Sequence, residues 1–196
     1  METLTAIFAY LCGQGRPFMI DGAPLPVCQR CLGLYAGATM TAAWLVASGV
    51  WRRGLPDRRT MWLHTAMLMA AMLGGMHLFD PGPAWRLVCG LWTGHVAMLW
   101  LVGGAVELRS AVVVEERDHS RAHTAIASPA AFLLAGPTLA ILAVLFSRYV
   151  HAGWYIWTAV AAVGAVLLAA ALSAAAAMTA RWIIRVAIRW TARQPA

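Results

Sequence analysis

Two closely spaced cysteines are the residues of this chain best suited to chemistry. Cys28 and Cys31 are separated by two residues, and Cys12 lies upstream in the same polar segment. A thiolate is both a nucleophile and a ligand for soft metal ions. Thiols placed in this way are typical of a disulfide, a metal site or a redox pair.

Long apolar stretches must position these thiols. Of the 196 residues, 61% are hydrophobic and 12% are charged. Five stretches approach the roughly 20 apolar residues with which a helix crosses a bilayer. They are Cys31–Trp51, Thr60–Phe79, Leu87–Val106, Ala130–Phe146 and Trp154–Ala180. The sequence therefore predicts an all-α integral membrane bundle of about five transmembrane helices.

This pattern divides the chain into three parts. Residues 1–30 are an outward-facing segment that contains cysteines, residues 31–180 are the five-helix bundle, and residues 181–196 are a basic amphipathic tail on the cytoplasmic side. The sequence contains no phosphate-binding loop, Ser–His–Asp set or dinucleotide fingerprint. We expect no binding to nucleic acid, because the basic residues lie in short loops and at the chain end.

The 15 basic residues, all of them arginines, predict the orientation. Most of them lie in the loops after the first and third predicted spans and in the tail. Because cytoplasmic loops are enriched in basic residues, these segments are predicted to be cytoplasmic and the N-terminus outside. All four cysteines then fall on the outer side: Cys12, Cys28, Cys31 and Cys89.

Glycines recur at a four-residue spacing in two of the predicted helices. Gly33 and Gly37 lie in the first span, and Gly90 and Gly94 lie in the third. Small residues at this spacing let membrane helices approach closely. They predict tight helix packing and carry little information about function.

The outer thiols have two interpretations that involve sulfur–sulfur bonds. One or two static disulfides would hold the N-terminal segment in place, and this is the reading that we favour. A redox pair at Cys28 and Cys31 would instead exchange with Cys12 or Cys89. A helix N-terminus and the adjacent Arg30 would both stabilise the thiolate that such exchange needs.

A metal site is the third interpretation of the outer thiols. Zinc or another thiophilic metal prefers thiolate and imidazole ligands. The candidate ligands are Cys12, Cys28, Cys31, Cys89 and His77. Asp80 and Arg86 flank a short turn on the same side, where they are expected to pair and support the site.

The sequence also predicts the surroundings of the polar residues in the third span and in the tail. His95 lies about two turns inside the third span, and His64 is placed near the opposite face, so we expect His95 to be a lone histidine hydrogen-bonded within the bundle. The tail has a stripe of arginines with tryptophan and isoleucine between them, which predicts a helix on anionic lipid headgroups. Its arginines are Arg181, Arg185, Arg189 and Arg193.

The segment from Cys12 to Gly37 resembles a family of small bacterial multi-pass membrane proteins of unknown function. The family motif is Cys-His-Gln, followed by Arg and an aromatic residue and then Leu-Pro-x-Cys-x-Arg-Cys-x-Gly-x-Tyr-x-Gly. The matching residues include Cys12, Gln14, Arg16, Phe18, Leu25, Pro26, Cys28, Arg30, Cys31, Gly33, Tyr35 and Gly37. Gly13 stands where the family has histidine. The resemblance implies a bacterial plasma-membrane protein and supplies no reaction.

Three functions are compatible with this sequence. We rank first a non-catalytic accessory or structural subunit of a larger membrane complex, respiratory or photosynthetic, with lipid and other membrane subunits as partners. A thiol–disulfide oxidoreductase and a metal-binding or metal-transport protein are the alternatives. A single Cys-x-x-Cys that lacks the family histidine is weak evidence for catalysis, so the ranking leans away from an enzyme.

Overall fold

The computed structural model describes residues 19–20, 23–49, 54–75, 82–113 and 153–191, together with Ala6. These residues form a two-residue antiparallel pair, β1 (Met19–Ile20) and β2 (Ala23–Pro24), and four helices. The helices are α1 (Gln29–Ser48), α2 (Arg58–Gly75), α3 (Pro83–Val113) and α4 (Gly153–Thr191). The predicted all-α class is confirmed for this part of the chain. The predicted fourth span, Ala130–Phe146, lies outside the described residues.

Three of the four described helices are long and apolar enough to cross a membrane. The qualifying segments are Gln29–Ser48, Pro83–Arg109 and Tyr155–Ile188. They overlap the first, third and fifth predicted spans. Helix α4 continues to Thr191 without a break, so the last span and the first part of the tail form one helix. Five spans in total remains a prediction.

Helix α1 begins at the Cys-x-x-Cys motif. Cys28 has an extended backbone and occupies the N-cap, while Leu25 and Val27 just before it are fully buried. These two apolar side chains hold the entering chain against the bundle. The helix ends at Gly49, whose φ of 66° is a left-handed conformation that glycine adopts without steric cost.

Helices α1 and α3 cross in direct backbone contact through the two predicted glycine pairs. A Cβ atom on Gly33 would collide with the carbonyl of Leu87, and one on Gly90 would collide with the carbonyl of Arg30. One on Gly94 would lie 2.9 Å from the Ala38 amide nitrogen and would collide with the carbonyl of Leu34. The predicted role of these glycines in helix packing is confirmed.

Helix α4 packs against the same pair along a single stripe. Its buried apolar residues lie at helical spacing, at Trp157, Ala161, Gly164 and Leu168. Gly164 lies against the Tyr35 carbonyl of α1. The Thr39 hydroxyl of α1 lies 2.9 Å from that carbonyl and 3.2 Å from the Val160 carbonyl of α4. This hydroxyl therefore links the two helices.

Replacing Gly94 with alanine is expected to destabilise the fold. The new methyl group has no space between α1 and α3, and overpacking of this kind costs about 1–3 kcal/mol. Gly104→Ala, on the same helix, is the matched control, because a Cβ there has no atom within 4 Å. Its expected effect is neutral or slightly stabilising, since alanine favours a helix. Unfolding of both variants in mixed micelles gives the comparison, and equal losses of stability would contradict the contact.

Candidate functional site

Three of the four predicted outer thiols lie in the described residues, and the helix crossing brings them to one end of the α1–α3 pair. The carbonyl of Arg30 faces Gly90. Cys31 and Cys89 adjoin these two residues, so they lie at the same level on neighbouring helices. Cys28 lies one turn before Cys31, at the N-cap of α1.

Burial separates the three thiols. Cys28 and Cys89 are only 6% and 3% exposed, whereas Cys31 is half-buried at the edge of the apolar core. Reactive thiolates are found in electropositive and partly exposed surroundings, while buried structural cysteines are inert. Of the three, only the surroundings of Cys31 suit exchange chemistry.

The structure describes only some of the other residues that were predicted for this site. Cys12, His77 and Asp80 lie outside the described residues, so their role stays a prediction. Arg30 and Arg86 are half-buried at the starts of α1 and α3. Among residues 19–20, 23–49, 54–75, 82–113 and 153–191, no three His, Cys, Asp or Glu side chains are grouped for a metal ion.

A second polar site lies in the centre of the bundle, where the sequence predicted a lone histidine. His64 of α2 and His95 of α3 are 0% and 5% exposed. Their ring centroids are 6.2 Å apart and the rings meet edge to face, at 81°. The expectation that His64 lies at a different depth from His95 is therefore wrong. The expectation that His95 is hydrogen-bonded within the bundle is confirmed.

Each histidine has a partner on a neighbouring element. The Nδ1 atom of His95 lies 2.8 Å from the hydroxyl of Thr41, a buried residue of α1. The indole Nε1–H of Trp100 donates to Nδ1 of His64 at 3.1 Å. We call these four residues, Thr41, His64, His95 and Trp100, the central polar cluster. It connects α1, α2 and α3.

The loop before α2 lies close to α3 at Gly103, and this contact determines that His64 is at the level of His95. A Cβ on Gly103 would lie 2.8 Å from the carbonyl oxygen of Gly54, so the loop before α2 lies directly against α3. Helix α2 thus begins beside the interior of α3 and not beside its end. His64 reaches the level of His95 for this reason. Gly103 could have indicated a close backbone contact of α3, but the sequence does not show which segment makes that contact.

Asp57 immediately precedes α2, two turns before His64 of the central polar cluster. Its carboxylate accepts hydrogen bonds from the Arg59 amide at 3.1 Å and from the Thr60 hydroxyl at 2.5 Å. These bonds cap the helix. Thr60 is buried, and it lies one turn before His64 on α2. The Thr60 hydroxyl, followed by the backbone amides, lowers the pKa of Asp57.

The basic tail is helical as predicted for as far as the structure describes it. Arg181 and Arg185 are exposed on α4, with Trp182, Ile183 and Ile184 exposed between them. Such a helix suits the membrane surface, where arginine meets lipid phosphate and tryptophan lies at the interface. The side chain of Arg189, and Arg193 as a whole, are not among the described parts of the chain.

Comparison with known proteins gives a match to a protein family. Residues 12–100 match the family described as "Predicted membrane protein (DUF2085)". The match supports an uncharacterised membrane family. It begins at Cys12 and extends through α1, α2 and the part of α3 that carries His95 and Trp100. No curated protein and no solved structure matches the chain.

Replacing Thr60 with valine is expected to raise the pKa of Asp57 toward its ordinary value. The wild-type carboxyl has a lowered pKa in the folded protein, so its contribution to stability is present above the ordinary pKa of aspartate, about 3.9. This contribution is lost as the pH falls through the folded pKa. Titration of Asp57 by carbon NMR measures the shift, with Thr65→Val as the control. Thr65 donates only to its own helix at Met61. An unchanged Asp57 titration in Thr60→Val would contradict this account.

Proposed function

We propose that the chain is a non-catalytic accessory subunit of a larger membrane complex, respiratory or photosynthetic, in the bacterial plasma membrane. Its N-terminus is outside and its C-terminus is cytoplasmic. The outer thiols have a structural role, either as disulfides or as a metal site that holds the N-terminal segment. The long apolar surface of α4 carries this proposal.

Helix α4 has more apolar surface than its neighbours in the described residues cover. The candidate membrane span Tyr155–Ile188 is 34 residues long, and α1 and α3 bury only one stripe of it, which ends at Leu168. Arg181 and Arg185 are its charged residues, and both lie near its C-terminal end. Large side chains remain exposed on the other faces: Tyr155, Ile156, Val163, Val166, Leu172, Val186 and Ile188. An exposed apolar surface of this extent suits lipid or another membrane subunit. Its long run of alanine also favours close helix packing with a partner.

The burial of the thiols supports the structural role over the oxidoreductase. Exchange requires a thiolate that an attacking sulfur can reach. Cys28 and Cys89 are buried, and only Cys31 is half-buried. A disulfide or metal site needs no such access once it has formed. Gly13 replaces the histidine of the family motif, and this loss also weakens the case for an oxidoreductase.

Cross-linking from α4 tests the accessory function. A photoreactive benzoylphenylalanine at Val166, which is 68% exposed, is expected to capture another membrane subunit in cells. The same amino acid at Trp62 of α2, 65% exposed, is the matched control and is expected to give less of that product. Deleting the gene should then lower the amount of the captured complex on native gels. Equal capture from both positions, or a complex that persists after deletion, would count against the proposal.

Thiol labelling tests the structural role of the cysteines. In folded protein, a hydrophilic maleimide is expected to modify Cys28 and Cys89 slowly, because both are buried. Full labelling should require unfolding together with reduction for disulfides, or together with chelation for a metal site. Elemental analysis for zinc, copper and iron separates these two cases. Rapid labelling of Cys28 in the folded, unreduced protein would favour the oxidoreductase instead.

A further inference from the structure

Helix α4 continues well past the end of the helices against which it packs. It is one unbroken helix of 39 residues, and it contacts α1 near the middle of that helix, where Gly164 lies against the Tyr35 carbonyl. From Gly164, α4 continues for 27 residues to Thr191, whereas α1 has at most 13 residues between Tyr35 and either of its ends. At 1.5 Å per residue, α4 therefore extends about 20 Å beyond the end of α1.

Most of this extension lies outside the hydrocarbon core of a bilayer. The candidate span in α1 has 20 residues, which matches a core about 30 Å thick. The chain from 165 to 191 contains neither glycine nor proline, at which helices commonly kink. A straight helix that leaves the bilayer in this way cannot lie along the membrane surface as an interfacial helix does. Lipid therefore does not cover the apolar side chains near its C-terminal end.

The apolar side chains at the C-terminal end of α4 are large and exposed. Trp182, Ile183, Ile184 and Trp190 are between 43% and 68% exposed. The stripe of α4 that is buried against α1 and α3 ends at Leu168, so the described bundle does not cover these four residues. Apolar side chains grouped in this way outside the bilayer are typical of a surface that binds another protein.

Exposed residues of α4 recur at the alternating three- and four-residue spacing of a coiled coil. We call these residues the α4 seam: Ser173, Ala176, Ala180, Ile183, Ala187 and Trp190. This spacing keeps one stripe of a helix facing a second helix over its whole length. The small residues let two backbones approach closely, and Ile183 and Trp190 provide large apolar contacts between them.

The seam is separate from the stripe that packs against α1 and α3. That stripe continues one heptad after Leu168 to Ala175, which is half-buried and is not a seam residue. A second helix on the seam therefore does not compete with α1 or α3. The hydroxyl of Ser173 donates to the Ala169 carbonyl of its own helix at 2.8 Å, so this seam residue needs no polar partner.

The arginines occupy positions that a pair of helices leaves on the outside. With Ala180 as position a of the heptad, Arg181, Arg185 and Arg189 are at positions b, f and c. The positions e and g, which flank the seam, are apolar at Ile184 and Val186. Two copies of α4 can therefore meet along the seam without bringing their arginines together.

We propose that α4 pairs with the α4 helix of a second copy of this chain along the α4 seam. The covering partner has to be a straight helix that continues about 20 Å past the bundle, and a second copy supplies one. In a parallel pair related by a two-fold axis, each seam residue meets its own counterpart. The pairing is additional to the proposed function, because Val166 in the N-terminal half of α4 remains exposed for another subunit.

Photocross-linking of the purified full chain in proteoliposomes tests the pairing. Benzoylphenylalanine at Ile183 is expected to give a covalent dimer. At Ile188, which is 60% exposed against 55% for Ile183, it is the matched control. We expect about fivefold less dimer from this control, because Ile188 is at the outer position b. Products with lipid alone from Ile183, or equal dimer from both positions, would overturn the proposal.

The purified sample contains no other membrane subunit. Failure of the dimer to form would therefore leave the accessory function untouched, since that function is tested by capture from Val166 in cells. The reverse also holds, because a dimer can form in liposomes whether or not Val166 captures another subunit.

A pair of charge substitutions gives a second test that does not depend on the cross-linker. Ile183→Arg places like charges opposite each other across the two-fold axis and is expected to weaken dimerisation by about tenfold or more. Ile188→Arg adds the same charge on the outside, so we expect a change of less than about twofold. Both positions lie beyond Leu168, where the buried stripe ends, so the bundle should fold in both variants. Energy transfer between labelled copies in liposomes measures the dissociation constant. Equal effects of the two substitutions would contradict the pairing.

Discussion

The backbone contact between α1 and α3 is the constraint on which the rest of the structure depends. Two glycine pairs let the helices approach until a methyl group no longer fits between them. At this separation, Cys31 and Cys89 lie at one level, at the N-terminal ends of α1 and α3. One turn beyond Gly37, the same approach brings the Thr41 hydroxyl within 2.8 Å of His95. A wider crossing would break this hydrogen bond, so packing and polar chemistry depend on the same glycines.

The contact also divides the molecule into two environments. At the N-terminal end of α1, Leu25 and Val27 are buried just before the N-cap, and Cys28 and Cys89 are buried as well. In the centre, polar groups from three helices meet in an otherwise apolar interior. Helix α4 contributes to neither place with a titratable group in the described residues. It packs against α1 and α3 along one stripe, and its other faces are exposed in the part of the chain that the structure describes.

Much of this arrangement follows from the sequence, because apolar runs and glycine spacings are local signals. They predicted helices close to α1, α3 and α4 and the close approach of two of them. The pairing of His64 with His95 depends on how far α2 is shifted along α3. This shift is set by a backbone contact between Gly54 and Gly103, which no period in the sequence encodes. The hydrogen bond from Trp100 to His64 depends on the same shift, so the sequence could not predict it either.

The energetics of the central polar cluster favour keeping its members together. Hydrogen bonds between side chains in membrane proteins contribute on average only about 0.6 kcal/mol. Replacing one member alone has a larger effect, because an apolar side chain at His64 would leave the Trp100 N–H without its acceptor. Only the replacement of both partners by apolar groups of the same shape is nearly neutral. The cluster therefore holds α1, α2 and α3 together mainly through the penalty for leaving one of its groups unsatisfied.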